Sequence, residues 1–360
     1  MSADAAHREA WASLSLRALP HAAMVALLRA FGNPETILAA SRAQLAAVIP
    51  DTAVARLVAK PAHDALARTS AWLAAPGHDL VTWDDADYPQ ALLELGYAPP
   101  VLFFVGRREL LNRPALAIVG SRNATAQGLD NARNFAHALA QAGLTIVSGL
   151  ALGVDAAAHE GALLGAGSTL AVVGTGLDRV YPTRHRDLAH RIAAEGGLLS
   201  EFPLGTPPRE KNFPRRNRLI SGLAQGVLVV EAALASGSLI TARYAGEQGR
   251  EVFAIPGSIH SPLAKGCHKL IREGAKLVET AQDILEELGM GTKGTPLQST
   301  AGAPISESAL MAALGNDPAD IDALVARTGL PADAVTAELT ELELAGIVAS
   351  LPGGRWQRKR

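Results

Sequence analysis

Cysteine is nearly absent from the 360-residue sequence, which holds Cys267 alone, and aromatic residues amount to only 4%. One thiol excludes an internal disulfide framework and any zinc site built from several thiolates, and it fits a reducing compartment. Long apolar runs are missing as well: no stretch reaches the roughly 18 residues that a membrane-spanning helix needs. Glu9 stands where a secretory signal would require an apolar segment, so a cytoplasmic chain without membrane attachment is expected. Charge of one sign is not in excess either. Lys and Arg number 33 against 35 Asp and Glu, a net charge of −2, so a surface for polyanions has to come from a local concentration of bases.

Catalytic signatures are equally sparse. There is no G-x-S-x-G elbow, no H-E-x-x-H pair and no Walker A loop, and Cys267 beside His268 is a poor start for a metal site. No catalytic residue, metal or cofactor is therefore expected. Asp155 and His159, four apart on a predicted helix, face the same way. They suit acid–base work or, as expected here, bracing of the preceding loop through hydrogen bonds.

Apolar residues make up 48% of the chain, much of it Ala, Leu and Val, which suits packed helices and parallel strands. Residues 1 to 75 carry helical spacing in Met24, Leu27, Leu28 and Phe31 and again in Ile37, Leu38, Leu45 and Val48, broken at Pro34, Pro50 and Pro61. Segment 27 to 48 is similar to a helix-hairpin-helix or sterile-alpha-motif unit, and a helical packing module is expected. From 76 to 288, short apolar runs at 115 to 120, 144 to 149, 169 to 174, 197 to 201, 226 to 232 and 251 to 257 alternate with helical stretches. Strands apolar on both faces and separated by helices mean a parallel sheet covered on both sides. The fold class is α/β: a doubly wound, Rossmann-like parallel sheet domain behind a small helical N-terminal domain. Segment 81 to 107 should extend the sheet or brace its edge. Residues 289 to 304 read as a Gly, Thr, Ser and Pro linker. From 305 to 360, a helix, a helix opened by Asp317 and Pro318, a turn at Thr328 and Gly329, a helix opened by Pro331 and a hairpin with a two-stranded wing describe a C-terminal winged helix. Between 303 and 354 eight acids face the single base Arg327, so this module is expected to contact protein rather than read DNA.

Loops leaving parallel strands at their C-termini share one rim, where helix N-termini offer free amides. Gly120, Ser121 and Arg122 follow the first core strand: glycine permits the turn, serine can donate, and arginine can fork onto a phosphate. Small residues from Ser148 to Gly153 follow the second strand, and Ser236, Gly237, Ser238 and Thr241 open a later helix. Three such loops point to an anion site. A dinucleotide is a poor occupant, because the G-x-G-x-x-G spacing and the acid for a ribose are both missing. The densest charge, Arg209, Lys211, Arg215, Arg216 and Arg218 against Glu210, follows the fourth core strand onto the same rim. Bases interleaved with Phe213 match single-stranded nucleic acid, which needs cations along its phosphates and a flat face for its bases. Asn217 belongs to this site, whereas Tyr181 is expected to be structural. A rival reading is a nucleotide-processing hydrolase with the 236 to 241 loop as phosphate cradle. It lacks the Gly-Gly-x-Gly-Thr loop such an enzyme would want, and Glu247, the nearest acid, lies far along the helix.

The segments AIVGSRNAT (117 to 125), SGLALGVDAAAHEGAL (148 to 163), GTGLDRVYP (174 to 182), LLSEFPLG (198 to 205), FPRRNRLISGL (213 to 223), VVEAALASGSLITA (229 to 242) and VFAIPGS (252 to 258) occur in this order. As a set they resemble the bacterial DNA-processing protein A family. The resemblance implies a non-enzymatic Rossmann-like domain that binds single-stranded DNA, forms a homodimer and loads a RecA-type recombinase onto incoming DNA in natural transformation. It implies strand contacts by Arg122, Lys211, Phe213, Arg216, Asn217 and Arg218. The basic residue common after the Tyr-Pro pair is here Thr183, with Arg184 one place later as the candidate, and His268 stands where Asn is common.

Overall fold

In the computed structural model, which describes residues 3–59, 63–290, 309–315 and 318–358, the chain opens with six helices. These are α1 (Ala3–Ser15), α2 (His21–Phe31), α3 (Pro34–Ala39), α4 (Arg42–Ala46), α5 (Asp51–Val58) and α6 (His63–Leu73). Local chemistry sets their starts. Asn33 accepts the Thr36 amide at 2.8 Å with Pro34 at the first helical position, and Ser41 and Gln44 form a capping box. Their apolar faces do not close on one another alone: Trp11, Leu27, Ile37, Leu45 and Val54 share a core with Leu80, Val101 and Phe103 of the adjoining strands.

The following elements are β1 (His78–Thr82), α7 (Gln90–Leu93), β2 (Val101–Gly106), β3 (Ala115–Val119), α8 (Ala126–Gln141), β4 (Thr145–Ser148), α9 (Val154–Ala162), β5 (Thr169–Val172), α10 (Arg186–Glu195), β6 (Gly197–Ser200), α11 (Asn212–Gly222), β7 (Gly226–Val229), α12 (Ser238–Glu247), β8 (Glu251–Ala254), α13 (Lys265–Arg272), β9 (Lys276–Leu277) and α14 (Ala281–Glu287). The nine strands form one sheet in the order β1-β2-β6-β5-β4-β3-β7-β8-β9. It is parallel from β6 to β9, and β1 and β2 add an antiparallel edge, which is how segment 81 to 107 extends it. Period-two alternation splits the central strands between two cores. Ala117, Val119, Val227 and Val229 pack on one face, and Leu116, Ile118, Leu228 and Val230 on the other. Each fully buried Val, Leu or Ile contributes about 1.5–3 kcal/mol, so both helix layers are needed to keep the sheet dry. The strand order reverses between β3 and β7, and the crevice outside the carboxyl ends of these two strands is where doubly wound sheets place ligands.

The C-terminal elements are α15 (Ala309–Leu314), β10 (Ala319–Asp320), α16 (Ile321–Thr328), α17 (Ala332–Leu344), β11 (Val348–Leu351) and β12 (Arg355–Arg358), a winged helix. The second helix starts later than Asp317 and Pro318 suggest. Asp317 lies outside the described residues, and Asp320 is the cap, accepting the Ala323 amide at 2.7 Å. The small sheet has three strands, because β10 pairs with β12 beside the expected hairpin. Of the expected linker, residues 291 to 304 lie outside the described residues. Among the described residues no helix is long and apolar enough to cross a membrane.

Candidate nucleic-acid interface

The β3 turn and the loop after β4 are locked together at the switch point. The Val154 amide donates to the Ser121 carbonyl at 3.1 Å. Gly153, with φ of 75°, makes the approach possible, since a Cβ there would lie 2.3 Å from that carbonyl oxygen. Beneath them sits Arg216, only 4% exposed. Its Nη1 donates to the Gly149 carbonyl at 2.6 Å and to that of Val172, and its Nε to Asn217 Oδ1 at 3.2 Å. Asp155 accepts the Gly149 and Ala151 amides at 3.1 and 3.3 Å. Burial pulls the Arg216 pKa down to about 10, against the pull of Asp155, and pushes that of Asp155 up.

His159 completes the brace and its tautomer follows from its neighbours. The Thr169 hydroxyl donates to the Ile146 carbonyl at 2.6 Å, so the 2.7 Å contact from His159 Nδ1 to that hydroxyl oxygen is donated by the ring. Nε2 then accepts the Leu150 amide at 3.3 Å, and burial holds the ring pKa down to about 3. Asp155 and His159 thus brace the loop as expected, each bonding backbone. The unfolded chain protonates this group below about 6.5 whereas the folded protein keeps it neutral, so its contribution is whole above that pH and is lost as pH falls toward 3. Urea unfolding between pH 7 and 4 should show a slope that His159→Gln reduces by up to one proton, about 1.4 kcal/mol per pH unit.

Above this floor opens a cleft of about 750 Å³ lined by residues of the β3 turn, the loop after β4, Tyr181, α11 and the start of α12. The half-buried Phe213 ring rests on Gly174, where a Cβ would lie 3.0 Å away. Arg122 Cζ is 5.9 Å from its centroid, and the Tyr181 ring lies 5.7 Å from it, tilted by 34°. Tyr181 is 47% exposed, so the ring expected to be structural presents a face to the cleft. The signal that could have found it is the aromatic residue next to proline on the third rim loop. On the far side the Ser236 and Ser238 hydroxyls are 2.7 Å apart, and Gly237 faces open space.

The structure brings Gly120, Ser121, Arg122, Phe213, Arg216, Asn217, Ser236 and Ser238 to this cleft. Lys211 and Arg184 are exposed beside it without lining it; the Arg184 turn is tied to the Leu150 carbonyl by His185 Nδ1 at 3.0 Å. Arg215 and Arg218 turn elsewhere and converge on one oxygen of Glu201, at 2.7 and 2.6 Å. The Glu201 side chain is 2% exposed. Arg215 stacks on Phe202 and Arg218 on Tyr97, whose carbonyl also accepts from Arg218 at 3.0 Å. Three of the five bases between 209 and 218 are thus held by the protein itself.

The start of α8 is occupied from within. The Glu231 carboxylate, just past β7, accepts the Thr125 amide at 2.9 Å and its hydroxyl at 2.6 Å. Gly128 lets it lie against the first turn of α8, for a Cβ there would fall 2.4 Å from the carboxylate carbon. A helix start that would otherwise receive a pyrophosphate therefore already holds a carboxyl group, whose pKa burial raises against the hydrogen bonds from Thr125. Cys267 is buried and its thiol pKa is pushed up to about 12, far from a nucleophile's range. Among the described residues no cluster of three or more His, Cys, Asp or Glu could hold a metal ion.

Fold and cleft together define a Rossmann-like protein with an open switch-point cleft, followed in the chain by a winged helix. Residues 79–289 match the family DNA recombination-mediator protein A, and residues 295–354 match the DprA winged helix domain. The chain belongs to the DNA recombination-mediator protein A family. It is 46% identical over 300 residues to Protein Smf of Escherichia coli strain K12, covering 80% of each chain. To the Putative DNA processing protein DprA of Mycobacterium tuberculosis strain H37Rv it is 37% identical over 368 residues, 97% of this chain and 93% of that one. The X-ray structure of DNA processing protein A from Streptococcus pneumoniae is similar with a TM-score of 0.67 and 39% identity, over 76% of this chain and 96% of that one. A Helicobacter pylori structure that addresses the single-stranded DNA binding mode of DNA processing protein A gives a TM-score of 0.53 and 32% identity, over 58% of this chain and 95% of that one.

Proposed function

We propose that the protein binds single-stranded DNA without sequence preference and acts as a recombination mediator, not as an enzyme. The observation that carries this reading is the run of Arg122, Phe213 and Tyr181 along an open cleft whose nucleotide grip is occupied by Glu231. Arg122 would pair with a phosphate, the two rings would take bases, and Ser121, Asn217, Ser236 and Ser238 would donate hydrogen bonds beside Gly120. Lys211 and Arg184 would guide the strand outside the cleft, while Arg216 supports its floor and Arg215 and Arg218 are held on Glu201. Homodimerisation, loading of a RecA-type recombinase during transformation and a cytoplasmic location belong to the same proposal, supported by family membership. So does the division into a helical domain to residue 75, a DNA-binding domain to 288 and a winged helix from 305, whose acidic α17 suits contact with protein.

Labelled oligo(dT) compared with labelled mononucleotides tests the reading, and saturable binding of mononucleotides without binding of oligo(dT) would overturn it. If Arg122 and Lys211 each neutralise one phosphate, replacing either by alanine should flatten the log–log salt dependence of oligo(dT) binding by about 0.7. Unchanged slopes and affinities in both variants would remove this rim from the account.

A further inference from the structure

Four ionisable side chains line the cleft, two basic and two acidic: Arg122 and Arg216 against Asp155 and Glu210. For a surface read as holding a polyanion this is a low charge, and the exposed bases Arg209 and Lys211 stand outside the lining. The two acids differ in setting. Asp155 is 7% exposed; burial raises its carboxyl pKa while Arg216 and the two amides pull it down, and the charge it carries is little screened. Its bonds to the Gly149 and Ala151 amides account for an acceptor at this position but not for a charge, since an amide oxygen could accept both. Glu210 is exposed and makes no ion pair among the described residues, and only its backbone carbonyl is used, accepting the Phe213 amide at 3.3 Å.

We propose that Asp155 and Glu210 limit the affinity of the cleft: their carboxylates offset its two cations so that a bound strand is released rather than retained. The inference rests on reading the cleft as a site for single-stranded DNA. It suits a protein that hands its strand on, because like charges near phosphates speed dissociation without altering which bases fit. Arg122 remains the cation a phosphate meets, Arg216 supports the floor, and the acids set how long the contact lasts.

The test is equilibrium and stopped-flow binding of fluorescent oligo(dT) to the full-length protein at low salt, with thermal melting of each variant to establish its folded fraction. Asp155→Asn is expected to bind about threefold to tenfold tighter, chiefly through slower release, even though it melts at a lower temperature; this is the scale of one unit charge acting through partly solvated protein. A role in bracing alone would move affinity and stability down together. Tighter binding by the folded variant upholds the proposal, and unchanged or weaker binding overturns it. Should Asp155→Asn not fold, Glu210→Gln, on an exposed side chain, decides in the same terms. A wild-type protein that binds no oligo(dT) overturns the reading of the cleft itself, a failure distinct from variants that bind no tighter than a binding-competent wild type.

Discussion

Replacing Arg216 by alanine is expected to lower the stability of the sheet domain by about 3–5 kcal/mol, the scale of leaving two buried carbonyls without their donor. The Arg216 pKa, about 10, keeps the guanidinium a cation at neutral pH, so its charge there faces Asp155 across the floor of the cleft. Truncation removes that charge together with donors to the Gly149 and Val172 carbonyls, and the Asp155 carboxylate is left buried with only two amides. A melting temperature lower by roughly 6–20 °C should result for a domain of this size. Arg216→Lys should recover only part, because a single ammonium can take the place of Nη1 at the two carbonyls but has no second nitrogen for the Asn217 Oδ1 that Nε now reaches. Calorimetry checks this directly. A variant that melts like the wild type but loses oligo(dT) would make Arg216 a strand contact and not a brace.

Phe213→Ala should leave the melting temperature nearly unchanged and weaken oligo(dT) binding by about 1–3 kcal/mol, roughly fivefold to 150-fold in Kd. The ring belongs to none of the buried core clusters, rests on the Gly174 backbone and turns a face into the cleft between Arg122 and Tyr181. Its loss removes a stacking surface and leaves Arg122 without the face that orients it, while the salt dependence should stay as it was. Anisotropy titrations at two salt concentrations separate these terms. A sharp drop in thermal stability with intact affinity in the folded fraction would make Phe213 a core anchor instead.

The sheet was legible because its strands are apolar on both faces and stop at glycine or serine: the runs beginning at Ala115, Thr169 and Gly226 start within a residue of β3, β5 and β7. The rim followed from topology, since loops after parallel strands have nowhere else to go. Charge counting could not show which bases are free. Arg216 falls on the buried stripe of α11 with Asn212, Leu219 and Ile220, at i, i+4, i+7 and i+8 from Asn212, a phase that local charge density hides. Glu201 captures Arg215 and Arg218 from the end of another strand, and Glu231 reaches Thr125 across 106 positions. Such partners are set by tertiary approach and leave no mark in spacing. The third strand of the winged helix, two residues long, is too short for period-two alternation to register.

The carboxylate of Glu231 at the start of α8 has a consequence for regulation. Many doubly wound sheets double as gauges of the cell's energy state, because the helix start that grips a cofactor also senses how much of it is free. Here that gauge is stopped from inside by a side chain of the same fold. With the neighbouring cleft read as the single-stranded DNA site proposed above, its occupancy would answer to the supply of polymer and not to the pool of free nucleotides.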